Sequence, residues 1–550
     1  MRHISFRFGK IAGSLRSVDT FVLLASSIAI VLGHLLFFSS GFTNLEFAFA
    51  GAARHFAGVA GDGRELDRYF AQQANPLGYS FVTAAWLWVS GVDPSFWSVR
   101  VPALSGALLI LVAGWMWTAS DNDLRQRVFP MWCAAIAANP LVWCYAGQAT
   151  ADVLPTGLLM LAFALCVAGK LRLLPHAMAS ALFASTCLIK YNALLLLPLF
   201  LASVALEGGG RLLSRRKLIL IAVYAILAVG ALAGYAAWLY ASFGIFMVPD
   251  RFRRVFQEST AASAHLDVFW SYLAYLAMVC GVFGAILPMA NARRIWVGLR
   301  AVPAVLRSGK FARLEQDGSL QHGTATIAAA ICSIVGLYGM LSVVDGEMDQ
   351  GGFDHLFPKY LFSIAKCGGL FLAVYTAITW AFDAWRAKTP LSAASLVGVA
   401  IYLVVSSLTR PAQRYLLLIL PLVMWHLVDS CSRIRSPWRT LVQVAGIGLF
   451  CVLSFVGSSY LAAQGDAADR MARWIARSNL TDTTDPGPIG GHAGQHFPPA
   501  PPQSPRFAVT VGTPAEALHT EPMRLFGRPF RSYSLVPSTP ADSPTPEAAP

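Results

Sequence analysis

The sequence predicts an all-α, polytopic bundle of transmembrane helices, and three observations carry that prediction: the composition, the recurrence of long apolar runs, and the placement of the basic residues. Hydrophobic residues make up 56% of the 550 and charged residues only 13%, with a mean hydropathy of +0.56. That balance lies outside the range of a soluble globular chain. Apolar runs of the length that crosses a bilayer, roughly 17–25 residues, recur from Thr20 almost to Tyr460. Inside hydrocarbon a single run satisfies its backbone only as a helix, which argues for a bundle over a barrel. Lys and Arg gather in alternate connections, and such loops mark the cytoplasmic side.

Taken in order, the chain opens with a basic tail, residues 1–19, that carries Arg2, Arg7, Lys10 and Arg16 and is read as cytoplasmic. The first apolar run exceeds the length of a signal-peptide core and no small-residue cleavage site follows it directly, so it is read as an uncleaved anchor. A module over 20–462 then holds about thirteen spans: 20–40, 97–119, 128–147, 153–169, 176–189, 192–206, 218–242, 267–291, 325–344, 358–383, 391–408, 414–431 and 439–462. This count puts the N-terminus inside and the C-terminus outside. Pro76 to Ser90 is apolar but short and ends in Trp86 and Trp88, the pattern of a helix lying in the interface. Only Lys190 and Tyr191 separate 176–189 from 192–206, so two short helices meet near the outer surface.

The basic loops account for most of the formal net charge of +13 as topology and attraction to anionic lipid head groups, which removes the nucleic-acid reading. All nine cysteines fall inside predicted spans and none has metal-ligand spacing, so neither disulfides nor a thiolate metal site is expected. From residue 463 an amphipathic stretch, ADRMARWIARSNL, leads into a tail rich in Pro, Gly, Ser and Thr. Residues 463–550 are therefore expected to be a largely disordered outer appendage, with short strands at Arg506 to Val511 and Leu525 to Leu535 if it packs against something.

On this topology polar groups collect at the outer face. The run NLEFAFAGAARH places Glu46 among Leu45, Phe47 and Phe49, and a carboxylate at such a depth costs roughly 2.5–3.5 kcal/mol. Arg54 and His55 follow it, Asp152 lies at the turn between the third and fourth spans, and Lys190 stands between the two short helices. Later loops add Arg251, Arg253, Arg254, Lys359, Arg410 and Arg414. Each has a plainer reading. Glu46 could be a solvated loop acid, Asp152 could cap the helix that Pro155 enters, Lys190 and Arg414 could snorkel, and the PDRFRRVF arginines could form a head-group face. The acidic loop Asp345 to His355 superficially resembles a calcium loop, but Leu356 stands where a closing Glu belongs, so a solvated loop is the better reading.

The ordered set NLEFAFAGAARH (44–55), NPLGYSF (75–81), VRVPAL (99–104), YAGQATAD (145–152), LIKYNALLLLP (188–198) and RYLLLILP (414–421) resembles the GT-C superfamily of polytopic glycosyltransferases, especially bacterial relatives of protein O-mannosyltransferases and of the lipid A aminoarabinose transferase. The similarity covers roughly 20–460. It departs from the family where Leu45-Glu46 replaces Asp-Glu, where Asn75-Pro76 replaces His-Pro-Pro, and where Tyr191 follows Lys190 in place of Gly. The resemblance implies inverting transfer of a sugar from a polyprenyl-phosphate donor to a lipid, glycan or protein acceptor, at the periplasmic face of a bacterial inner membrane. It implies Glu46 and Asp152 as catalytic carboxylates and Lys190, Arg254, Arg414 and His55 as ligands of the donor phosphate. It names no metal ligands, although a divalent metal remains compatible with it. A transporter or flippase, and a polymerase or ligase of lipid-linked glycans, stay as alternatives. Few charges lie in mid-span, Lys366 being the main one, and the late outer loops are short.

Overall fold

The helices follow the apolar runs in order, and several runs are broken where the sequence carries a helix breaker. The computed structural model describes residues 18–537 apart from 38–39, 43, 60–62, 119–121, 209–213, 251–261, 309–317, 343–358, 388–389, 409–412, 435–437, 479, 481–482 and 486–506. The first span is α1 (Val18–Leu35). The loop after it holds three helices, α2 (Asn44–Phe56), α3 (Glu65–Gln72) and α4 (Gly78–Ser90). Next come α5 (Val101–Thr118), α6 (Phe129–Ala138) and α7 (Pro140–Ala146). The expected span 128–147 is two helices because Asn139 turns its side-chain oxygen to the N–H groups of Leu141 and Val142, and Pro140 opens a new helix.

The middle of the chain forms α8 (Val153–Gly169), α9 (Leu173–Ile189), a 3-10 turn over Tyr191–Leu196, α10 (Leu197–Leu206) and α11 (Arg215–Phe243). A second broken run gives α12 (Ala262–Cys280) and α13 (Val282–Ala290), bent by 89° at Gly281, whose φ of +53° suits glycine. After these come α14 (Ala292–Ser308), α15 (Gly318–Ser342), α16 (Lys359–Ala387), α17 (Pro390–Ser406), α18 (Leu420–Ser432) and α19 (Trp438–Arg477).

The chain is a multi-pass membrane protein. Among the described residues four helical stretches are long and apolar enough to cross a bilayer, Ser98–Thr118, Arg215–Phe243, Lys366–Trp385 and Trp438–Arg477, and the bent pair makes a fifth if counted as one span. The other apolar helices have 10–17 residues, so about thirteen full spans is more than helix length alone supports. Close crossings knit the bundle. Gly106 of α5 and Gly157 of α8 face each other so closely that a Cβ on either would strike the partner backbone, the small-residue contact that lets membrane helices approach.

Helix α4 has apolar residues on both faces: it buries Tyr79, Ser80, Thr83, Ala84 and Leu87 and exposes Phe81, Val82, Trp88 and Val89. Those four recur at i, i+1, i+7 and i+8, one continuous apolar face of the kind that rests in a bilayer interface.

The largest departure lies at the C-terminus. Instead of ending near 462, α19 runs for 40 residues, about 60 Å. Four strands, β1 (Thr483–Asp485), β2 (Phe507–Val511), β3 (His519–Leu525) and β4 (Arg528–Pro537), then form a sheet in the order β1-β2-β4-β3. Strands β2 and β3 each pair antiparallel with β4, and β1 runs parallel to β2. The sheet buries Val509, Met523, Tyr533 and Leu535 against Ala467, Ala468, Met471, Ala472 and Ile475 of α19. The expected disordered tail is thus in part a small packed layer. Its core comes from the apolar face of the amphipathic stretch, which gives the strands the surface they need.

Candidate functional site

Glu46 lies in the first turn of α2 and is fully buried. Its burial is possible because Arg100, in the 3-10 turn that leads into α5, meets it as a two-pronged fork, Nε to Oε1 at 2.7 Å and Nη2 to Oε2 at 2.9 Å. The backbone N–H of Ala149 donates to Oε1 at 2.8 Å. The remaining guanidinium donors close the loop after α1: Nη1 donates to the carbonyls of Phe37 (3.2 Å) and Ser40 (3.1 Å), and Nη2 to that of Gly41 (3.2 Å). A lysine could not span these acceptors, since only the planar fork offers five donors in fixed directions. Beside the pair is a cavity of about 20 Å³, lined by His34, Gly147 and Gln148 among others. That is about the room one water requires.

Asp152 stands at the start of α8, at the N-cap position, yet its side chain makes no capping bond. It turns instead to Lys190, whose Nζ donates to Oδ1 at 2.5 Å, with both side chains buried. Two backbone features place this pair. The crossing of Gly106 and Gly157 sets α8 against α5. Lys190, at the end of α9, is extended (φ −147°, ψ 111°) and separates that helix from the 3-10 turn. Gly78 lets the first turn of α4 rest on the Leu188 carbonyl, so the interfacial helix abuts the Lys190 corner.

Arg414, partly buried, completes the cluster. Its Cζ lies 5.9 Å from the ring centroid of Tyr415, and Nζ of Lys190 lies 5.1 Å from the same ring. Burial by itself would push the Asp152 carboxyl up, but the Lys190 ammonium and the Arg414 guanidinium hold it below the usual carboxylate range. The result is a buried site with one carboxylate and two cations, an aromatic ring beneath the cations, and a net positive balance.

The structure thus gathers Asp152, Lys190 and Arg414, while Glu46 joins them through the turn 147–152, which begins beside its carboxylate and ends at Asp152. His55 stands at the far end of α2, about 14 Å along the helix from Glu46. It is 43% exposed and 3.9 Å from Glu65, so it is not part of the cluster. Arg254 and the acidic loop 345–355 lie outside the described residues. Among the described residues no group of three or more His, Cys, Asp or Glu side chains is placed to hold a metal. Sequence reasoning missed Arg100 and Tyr415. Arg100 sits in the quoted VRVPAL motif, and the signal was Glu46 itself, since a buried acid demands a buried cation.

An apolar cavity of about 310 Å³ opens between α12, α16, α17 and α18, lined by Trp270, Leu276, Ala377, Leu403 and Leu427 among others. Helix α17 connects it to the polar cluster, because Tyr402 on that helix donates to the Tyr415 carbonyl at 2.7 Å.

No family model and no curated protein matches the chain. Among solved structures, the oligosaccharyltransferase of Archaeoglobus fulgidus, tethered with an acceptor peptide containing the NVT sequon, aligns with 90% of this chain at 13% identity and a TM-score of 0.50. The aligned part spans 61% of that protein. ArnT from Cupriavidus metallidurans aligns over 94% of this chain and 98% of its own length, at 14% identity in the apo state and 13% bound to undecaprenyl phosphate, each with a TM-score of 0.42. The likeness is one of fold: over 90% of its length the chain shares the helical architecture of the Archaeoglobus fulgidus protein.

Proposed function

We propose that this chain is an inverting glycosyltransferase that moves a sugar from a polyprenyl-phosphate donor to a lipid, glycan or protein acceptor at the periplasmic face of a bacterial inner membrane. Fold alone does not carry function. The observation that carries this reading is the buried cluster of Asp152, Lys190 and Arg414, joined by α17 to an apolar cavity. A phosphate with an isoprenoid tail matches those two features together, the cations suiting its charge and the apolar lining its hydrocarbon.

In this reading Arg414 and Lys190 receive the donor phosphate and stabilise it as the leaving group, aided by the charge-assisted geometry of arginine. The acceptor's nucleophilic atom attacks the anomeric carbon from the opposite face. The bond to the phosphate oxygen breaks, its electron pair stays on the phosphate, and a single displacement inverts the centre. A general base works best with a pKa near the operating pH, and Asp152 is held lower than that. It therefore orients the acceptor by accepting a hydrogen bond and takes the proton only as the new bond forms. Glu46, satisfied by Arg100 and Ala149, holds the wall of the site.

The test is glycan analysis of surface lipids and proteins in a deletion strain complemented with wild type, Asp152→Asn or Lys190→Gln, at matched protein levels in the membrane. Wild type is expected to restore a missing glycoform and both variants to leave it missing. Full restoration by both variants would overturn the proposal.

A further inference from the structure

Helix α14 has no place in the chemistry above, and its two faces are sharply different. One face packs on α15: Val302 and Val305 bury against Leu320, and Gly298 stands so close to Ser319 and Gly323 that a Cβ would strike their backbones. The opposite face carries Arg293, Trp296, Val297, Arg300 and Arg307, all exposed, with Arg294 beside it. At 100° per residue those five fall within about 100° of one another, and the buried set lies across the helix from them. The 17 residues contain four arginines and no acid.

Two features separate this face from an ordinary solvated one. Trp296 is 58% exposed and Val297 48%, in the middle of the basic stripe where water would be the neighbour of a purely charged face. Arg300 lies over the Trp296 ring at 4.5 Å from its centroid. Second, Arg293 and Arg294 occupy the first turn, the end of a helix that disfavours cations and attracts anions. The preceding helix α13 sets Val282 against Gly446 of α19. From Gly446 to Asp466, beside the sheet, α19 rises about 30 Å, close to the thickness of a hydrocarbon core. Helix α14 therefore lies toward the end of the bundle opposite the sheet.

We propose that the Arg293–Arg307 face of α14 docks onto the anionic phospholipid head groups of the leaflet at that end, with Trp296 and Val297 set at the head-group boundary. Arginines supply charge complementarity, and the indole supplies the amphipathic anchor typical of an interface. Each basic residue near an anionic surface is worth roughly a fivefold preference, so Arg293, Arg294 and Arg300 together supply on the order of a hundredfold. The inference does not depend on the proposed transfer reaction.

The test uses the full chain in phosphatidylcholine nanodiscs containing equal mole fractions of either brominated phosphatidylglycerol or brominated phosphatidylcholine. Subtracting the signal of a Trp296→Phe variant isolates quenching of Trp296. Quenching by the brominated anionic lipid is expected to exceed that by the zwitterionic one by about twofold or more, given the size of the charge preference. The excess should vanish in Arg293→Gln/Arg294→Gln/Arg300→Gln/Arg307→Gln and persist in the quadruple lysine variant, which keeps the charge. Equal quenching by the two lipids in wild type, or none by either, would overturn the proposal.

Discussion

Replacing Arg100 by Met is expected to destabilise the bundle by about 3–5 kcal/mol, the usual cost of stripping one partner from a buried ion pair. The reasoning rests on where the guanidinium points. Its removal deletes both charge-assisted bonds to Glu46, a side chain with no exposed surface, and takes the donor from the carbonyls of Phe37, Ser40 and Gly41. Against a total stability of about 5–15 kcal/mol this is a large fraction. In detergent the melting temperature should fall by about 3–4 °C, scaled to a chain of this size. Adding Glu46→Gln in the Arg100→Met background removes the stranded charge and should return part of the loss, a coupling of roughly 1–3 kcal/mol. Glu46→Gln alone should lose less than Arg100→Met, because the amide still accepts from Ala149. The assay is the fraction of monodisperse protein remaining after a temperature ramp. If Arg100→Met melts within about 1 °C of wild type, or the double variant shows no recovery, the pair does not hold the loop in this way.

Asp152 is held below its unfolded value, so its contribution to stability is fully present above the unfolded pKa, near 3.9, and is lost only as pH falls through the lower folded value. The melting difference between wild type and Asp152→Asn should accordingly stay constant from about pH 5 to 8 and shrink only below about pH 4; a difference that disappears by pH 6 contradicts it. Gly465→Val should cost about 1–3 kcal/mol, since a Cβ there meets the Gly41 backbone and disturbs the 2.7 Å bond from Gly41 N–H to Asp466. A melting curve identical to wild type would show that the contact is not tight. Met471→Asp places a charge under the sheet beside the Val509, Met523 and Leu535 core. It should make residues 507–537 protease-sensitive while the helical bundle melts as before, because the sheet has its own small core; coupled loss of both would contradict that independence.

Which parts of this molecule were readable in the chain follows from the range of the forces involved. Hydropathy and positive loops are local signals, and they located the apolar helices from Val18–Leu35 to the start of Trp438–Arg477, but not the polar or basic helices Glu65–Gln72 and Ala292–Ser308. The breaks at Asn139 and Gly281 were visible as residues but not as consequences, because an apolar run scores the same whether straight or bent. Within 463–550 two of the strands, Phe507–Val511 and Arg528–Pro537, stand where the sequence placed short strands conditional on packing; the surface they pack on was not readable, because the deciding apolar residues, such as Met471, Ile475, Val509 and Leu535, are sparse and far apart. Only their meeting across the α19 face makes a core.

The sequence by itself determined the class of the protein, a helical membrane bundle, and nominated Glu46, Asp152, Lys190 and Arg414 as polar groups in need of an explanation. The tertiary structure decided which of them belong together. Burying a charge is tolerable only with an opposite charge or enough donors within hydrogen-bond reach, and those partners come from distant points of the chain: Arg100 is 54 residues from Glu46, and Lys190 is 38 from Asp152. No local pattern encodes such a pairing, since it depends on where the α5–α8 crossing and the corner after α9 place each side chain.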